Sequence, residues 1–342
     1  MDRPDLSTVD DEIVAYIEYL EGEILSLQSV KSSKREERAS AELEPSEPET
    51  TVNVIVFSRN GLIKRTPRHF YGRQRRSGRG NFDMEFAEGD GPQQVVLADL
   101  EEELIVITNF ARIFHLPTKN IPEGELRDRG VEIAGLLKMH GNETVVKLLV
   151  NGQGERIASL TPRGYVFTSN RPSARDGDFL YNTSNQGGPV DCCWTSGDDN
   201  IFIATKQGKG IRFDERQVPK GGCLGIRLDP GDELLGLTAV TDDSGVFMLS
   251  HDGKGTIRLM EGFRQNRAPG AGGKVAIKSD KLVAAVTVED EGAGSDIFAI
   301  SETGKMIRFS AAEVPSKTGV VQGVNCMGLR NDEVSAVGLA TL

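Results

Sequence analysis

From residue 51 onward the chain repeats itself, and this repetition constrains the fold more than any other property of the sequence. The unit is an apolar strand, a turn that usually holds glycine, and a second strand that often carries a base. The six copies are VIVFSRNGLIKRT, LIVITNFARIFHL, RIASLTPRGYVFTS, IFIATKQGKGIRFD, VFMLSHDGKGTIRLM and IFAISETGKMIRFS. Their turn positions, Gly61, Ala111, Gly164, Gly208, Gly253 and Gly304, lie 50, 53, 44, 45 and 51 residues apart. That period, with further short apolar strands in the second half of each unit, matches a propeller blade. Six blades closing into a ring leave no long sheet edge open to pairing. The expected fold over 51–342 is therefore all-β and six-bladed. Strand alternation sets Ile211 and Phe213 on one face with Arg212 on the other, and likewise Ile307 and Phe309 against Arg308, so these bases are expected at the surface.

Ahead of the repeats, residues 1–38 contain STVDDEIVAYIEYLEGEILSLQSVKSSKREER, which reads as an α-helix with capping residues and acids at its start and bases toward its end. Ile13, Ile17, Leu20, Ile24 and Leu27 draw one apolar seam down it, suited to docking on its own body, to a partner helix or to a homodimer through 13–27. Gly22 weakens this seam, which is only about two heptads long. Residues 39–50, ASAELEPSEPET, read as an acidic linker.

The formal net charge is −11, yet residues 1–50 hold 14 carboxylates against 5 bases, which leaves the remainder close to neutral. Within that remainder, residues 59–79 hold eight bases and no carboxylate, and the stretch YGRQRRSGRG concentrates four of the arginines. Such a local positive field is compatible with a polyanionic partner. No apolar run reaches the roughly 18 to 20 residues that cross a bilayer, and the start lacks a basic region before an apolar one, so a soluble, cytoplasmic protein with no membrane partner is expected. Cys192, Cys193, Cys223 and Cys326 form no CxxC pair and are expected to be reduced thiols, with no metal site. GAGGKV and GKGT do not complete a phosphate loop, and the four histidines are isolated in sequence, so neither a cofactor nor a catalytic constellation is expected.

The residues 53–340 resemble the C-terminal domain of the DNA gyrase A protein, a six-bladed ring called a β-pinwheel. GLIKRTPRHFYGRQRRSGRG is similar to that family's first blade, where a Lys-Arg-Thr-Pro turn leads into a basic heptapeptide, the gyrase box. Gln74, Arg75, Arg76, Gly78, Arg79 and Gly80 match it, and Ser77 stands where the family has glycine. IRFDERQVPKGGCLGIRLDPGDELLGL and IRFSAAEVPSKTGVVQGVNCMGLRNDEVSAVGL resemble later blades. The resemblance implies sequence-nonspecific duplex DNA binding, with bending or chiral wrapping on the rim and a nucleoid-associated location. It also implies that the protein partner is a gyrase or topoisomerase subunit. The expected DNA track is the box with Arg73, then Lys64, Arg65, Arg68 and Arg112, and on later blades Arg212, Arg258 and Arg308. The second repeat, where Ala111 replaces the turn glycine, and the third and fifth diverge from the family pattern and are expected to contribute less, giving a partial wrap. The family's cleaving tyrosine typically follows an arginine. None of the five tyrosines here does, so the chain is not expected to be an enzyme alone. A protein-interaction scaffold and the wrapping subunit of a split type II topoisomerase are the alternatives.

Overall fold

Each apolar–turn–apolar stretch forms an antiparallel hairpin, because five of its six turn positions are glycines free to take positive φ and the sixth, Ala111, takes it at 56°. In the first repeat the hairpin joins Val52–Ser58 to Leu62–Pro67, and in the sixth Ser295–Ser301 to Lys305–Ser310. A third strand from the same repeat pairs with the first strand of each hairpin: Pro92–Asp99, Val145–Val150, Asp191–Thr195, Leu234–Val240, Leu282–Val288 and Val334–Thr341 in turn. These six strands contact one another in order, the last meeting the first, around a hub cavity of about 270 Å³ that all six repeats line. The computed structural model describes residues 47–170, 175–289, 292 and 294–341, with Ile13 and Ile17. Both isoleucines are helical, and the remainder of the expected helix, its dimer seam and residues 39–46 of the linker lie outside the described residues.

The fold is the expected six-bladed, all-β ring, but its blades are not self-contained. In five of the six blades the outermost strand comes from another repeat, while blade 2 has three strands and only an isolated bridge from Arg112 to Phe179. Val131–Glu132 completes blade 1, Cys223–Leu224 blade 3, Lys274–Val275 blade 4, and Val324–Asn325 pairs on blade 5. Asn81–Phe82, from the first repeat, pairs with Lys305 and Met306 of the last and so closes the ring. The turn residues bind the same exchange together. Gly61 O accepts from Ile133 N, Ala111 O from Leu180 N, Gly164 O from Gly225 N, Gly208 O from Ala276 N, Gly253 O from Cys326 N and Gly304 O from Asp83 N, all within 2.7–2.9 Å.

The apolar core follows this plan as six clusters, each between two neighbouring blades. In Val52–Ser58, Val54 and Val56 face Phe298 and Ile300 of blade 6, while Ile55 and Phe57 face Leu104 and Phe114 of blade 2. Every central strand is thus packed on both faces, which is why Gly245–Ser250 and Ser295–Ser301 are buried along their whole length. Both sides of the strand are interior, so alternation does not deliver every second side chain to water.

Candidate nucleic-acid interface

The double-sided packing decides where the basic residues lie. Arg212, expected at the surface, is 1% exposed; its guanidinium pairs with Asp242 and donates to Met260 O at 2.8 Å. Arg258 is buried as well and donates to Gly262 O, and desolvation there lowers its pKa. Arg308 is buried between Asp296, Glu47 and Tyr71 O, at 2.7, 2.9 and 3.0 Å. Burial works against the charge of Arg308, but the two carboxylates outweigh it and hold its pKa above the ordinary value. Lys64 is buried too, with Nζ 3.2 Å from Asp83 Oδ1 and donating to Glu125 O at 3.0 Å. The expectation that these four face a ligand is corrected: all are buried, Lys64, Arg212 and Arg308 with their heads on carbonyls and carboxylates that include groups of another repeat, and Arg258 on the Gly262 carbonyl of its own.

Three others are largely covered and committed. Arg65 binds Glu123 at 2.7 Å and Ile121 O at 2.8 Å. Arg68 pairs with Glu47 at 2.9 Å, and Arg112 pairs with Glu143 at 2.9 Å while lying over Phe114. Nothing in the sequence singles out Glu47, yet it bridges Arg68 and Arg308. Burial raises its pKa, but these two arginines bring the net value below the ordinary one. Substituting Lys64 separates the two roles. Lys64→Ala leaves Asp83 a buried, uncompensated carboxylate, so the expected cost is about 3–5 kcal/mol of stability, read as a shift in urea midpoint, and any DNA effect should follow only from unfolding.

The basic heptapeptide is different. It leaves the 3-10 turn Arg68–Phe70 of blade 1, crosses to blade 6 and ends in the outer strand Asn81–Phe82. Its backbone is fixed to the last repeat: Gln74 N donates to Arg308 O at 2.7 Å, Ser77 N to Cys326 O at 2.8 Å, and Gly78 O accepts from Gly328 N at 2.8 Å. Arg73 pairs with the buried Asp296 at 2.9 Å, sharing it with Arg308, and Arg76 donates to Asn325 O at 3.0 Å. Arg75 and Arg79 are exposed, and among the described residues no carboxylate pairs with either. Phe82, 46% exposed, lies beneath the Lys305 ammonium at 5.7 Å.

Two glycine-type positions explain the shape of this segment. Gly80 has φ +68°, and a Cβ there would come within 2.5 Å of Met306 O. Ser77, the departure from the family heptapeptide, still takes the left-handed conformation at φ 70°, and its Oγ donates to Asn325 O at 2.8 Å. The segment is therefore a pinned clasp that projects the Arg75 and Arg79 guanidinium groups outward. Sequence reasoning singled out no base in the equivalent loops of repeats 4 to 6. The available signal was the absence of carboxylates in 216–228, 262–279 and 314–331.

Ring and clasp define a six-bladed propeller with exchanged outer strands and a basic, glycine-containing closure on its rim. A sequence profile described as the DNA gyrase C-terminal domain, a β-propeller, matches residues 53–91, 102–152, 199–241 and 295–340, just over half of the chain. The chain belongs to that family. Among curated relatives it is 26% identical over 302 residues to the DNA gyrase A protein of Metamycoplasma arthritidis (strain 158L3-1), covering 84% of this chain and 34% of that protein. It is 26% identical over 298 residues to the DNA gyrase A protein of Staphylococcus aureus (strain NCTC 8325 / PS 47), covering 82% and 33%. The chain thus spans about a third of the length of these relatives. In fold it is similar to a solved DNA gyrase A C-terminal domain, with TM-score 0.74, 18% identity and 84% and 99% of the two chains covered. The C-terminal domain of DNA topoisomerase IV is also similar, with TM-score 0.56, 17% identity and 86% and 95% covered. The third and fifth repeats, outside the profile match, form blades all the same.

Proposed function

We propose that this chain binds duplex DNA on its rim, without regard to base sequence, and bends or wraps it as the wrapping part of a gyrase- or topoisomerase-type assembly. The observation that carries this reading is the clasp: Arg75 and Arg79 stand exposed, with no carboxylate partner among the described residues, on a backbone held at both sides of the ring seam. Guanidinium groups neutralise phosphates and release counterions, which gives affinity without sequence information. A pinned loop loses little freedom when the duplex arrives, so more of each contact appears as binding. Bending a 20 to 30 base-pair segment costs about 1–10 kcal/mol, a sum that several charge-assisted contacts can offset. The family relation to the DNA gyrase A protein, of which this chain matches a third, supports a partner drawn from the other gyrase or topoisomerase subunits and a role that is not catalytic alone. A cytoplasmic, nucleoid-associated location accords with this reading, and no described helix is long and apolar enough to cross a membrane.

The test is a linking-number assay. The protein is bound to relaxed circular DNA, a nicking-closing topoisomerase is added, and topoisomers are resolved in two dimensions after deproteinisation. A dose-dependent shift of one sign is expected from chiral wrapping. Binding in a gel shift with an unchanged linking number would reduce the function to binding or in-plane bending, and loss of both would remove it.

A further inference from the structure

The loops that follow the second hairpin strand are unequal around the ring. In repeats 4, 5, 6 and 1 they contain no carboxylate over 216–228, 262–279, 314–331 and 71–82. In repeat 2 the corresponding loop carries Glu123, Glu125, Asp128 and Glu132 against Arg127 and Arg129, and in repeat 3 it carries Asp176 and Asp178. These stretches follow the 3-10 turns that hold Glu215, Glu261 and Glu313 in repeats 4, 5 and 6, and they are consecutive, since repeat 6 meets repeat 1 at the seam.

Two further observations set these loops apart. Exposed bases elsewhere on the ring are often neutralised in place, as in Arg59–Glu302, Lys119–Glu101, Arg129–Glu85 and Lys206–Glu233. In contrast Arg227, Arg264, Arg267, Lys278, Lys317 and Arg330 are exposed and, among the described residues, have no carboxylate partner. The loops are also joined directly to one another. Arg227 N donates to Ala271 O at 3.0 Å, Lys278 N to Val321 O at 2.9 Å and Gly328 N to Gly78 O at 2.8 Å. The acid-free stretches of loops 4, 5, 6 and 1 therefore make one hydrogen-bonded belt, net positive along four of the six blades, in which Arg73 and Arg216 alone pair with carboxylates among the described residues.

We propose that the duplex occupies this belt alone, entering or leaving at the gyrase-box clasp of repeat 1 and running through repeats 6 and 5 to repeat 4. The carboxylates of repeat 2 stop the path on the far side of the clasp, because a phosphate chain laid across them meets like charge at close range. The clasp is then an end of the track, and the fifth repeat, expected to contribute little, is central to it. This rests on the DNA-binding reading above and adds the extent of the path.

The experiment compares two charge reversals of equal size. Arg264→Glu with Arg267→Glu lies on the belt, while Lys138→Glu with Arg163→Glu lies on exposed positions of repeats 2 and 3. Affinity for a 40-mer duplex is measured by anisotropy across a salt series. The belt variant should lose at least about tenfold in affinity and about 1.8 in the slope of log K against log salt, at about 0.9 per phosphate contact. The control should stay within about twofold. Equal losses in both variants, or a larger loss in the control, would overturn the belt while leaving DNA binding intact. A wild type that binds no duplex would remove the functional reading and the belt together.

Discussion

Replacing Arg75 and Arg79 with alanine lowers affinity for duplex DNA by roughly 10²- to 10⁴-fold at physiological salt, because each charge-assisted hydrogen bond to a phosphate contributes about 1.5–3 kcal/mol. Both side chains are exposed and pair with no carboxylate among the described residues, so the substitution leaves the clasp backbone and its bonds to Arg308 and Cys326 in place. Thermal unfolding should therefore be unchanged within a degree or two. The slope of log K against log salt should fall by about 1.8, again at about 0.9 per lost contact. Arg76 is left out of this variant on purpose, since its guanidinium donates to Asn325 O and its loss would loosen the seam as well. Lys119→Ala is the matched control, an exposed base already paired with Glu101. An unchanged salt slope in the double variant, with affinity retained, would take the DNA role away from the clasp.

The number of blades was legible in the sequence because one position per repeat must adopt positive φ, and glycine marks five of the six. Ala111 broke the pattern without breaking the blade, since its hairpin holds φ 56° in a buried position. The exchange of outer strands was not legible. Those strands are two residues long, too short for any periodicity, and Asn81 of the first repeat finds its partner Met306 in the last. The same limit explains Arg212, Arg258 and Arg308. A period of two separates two faces of a strand, but it does not say whether the second face meets water or another blade. Only the surroundings decide this, and here carbonyls and, for Arg212 and Arg308, carboxylates within reach made burial of a guanidinium tolerable. The clasp was legible because its bases are clustered in sequence, four arginines in ten residues with no carboxylate among them. The belt was missed because its bases are spread over three loops, and what unites them is a lack of acids.

Gly304→Ala should be the most damaging single change at the ring seam, with an expected cost of about 3–5 kcal/mol. Two terms add. Gly304 has φ +81°, where a side chain costs about 1–2 kcal/mol, and a Cβ there would come within 2.0 Å of the Met84 carbonyl oxygen. That carbonyl cannot rotate away cheaply, because the adjoining Asp83 N donates to Gly304 O and Asp83 is held by Lys64 and Tyr71. Gly61→Ala tests the first term alone: φ is +89° but the nearest atom to a Cβ is Ile133 Cγ2 at 3.9 Å, so about 1–2 kcal/mol is expected. The difference between the two variants measures the closure contact itself. Its location can be read separately, because the single tryptophan, Trp194, is buried in blade 3. If the damage is local, hydrogen exchange at the amides of Gln74, Ser77 and Asp83 accelerates in Gly304→Ala under conditions where Trp194 fluorescence is still native. If exchange and fluorescence change together, the ring unfolds as one unit and closure is part of its global stability. Either result bears on function, since the segment that closes the ring is the one that carries Arg75 and Arg79. A seam that opens locally would lower DNA affinity in proportion to the open fraction, whereas a fully cooperative ring would bind normally up to its unfolding transition.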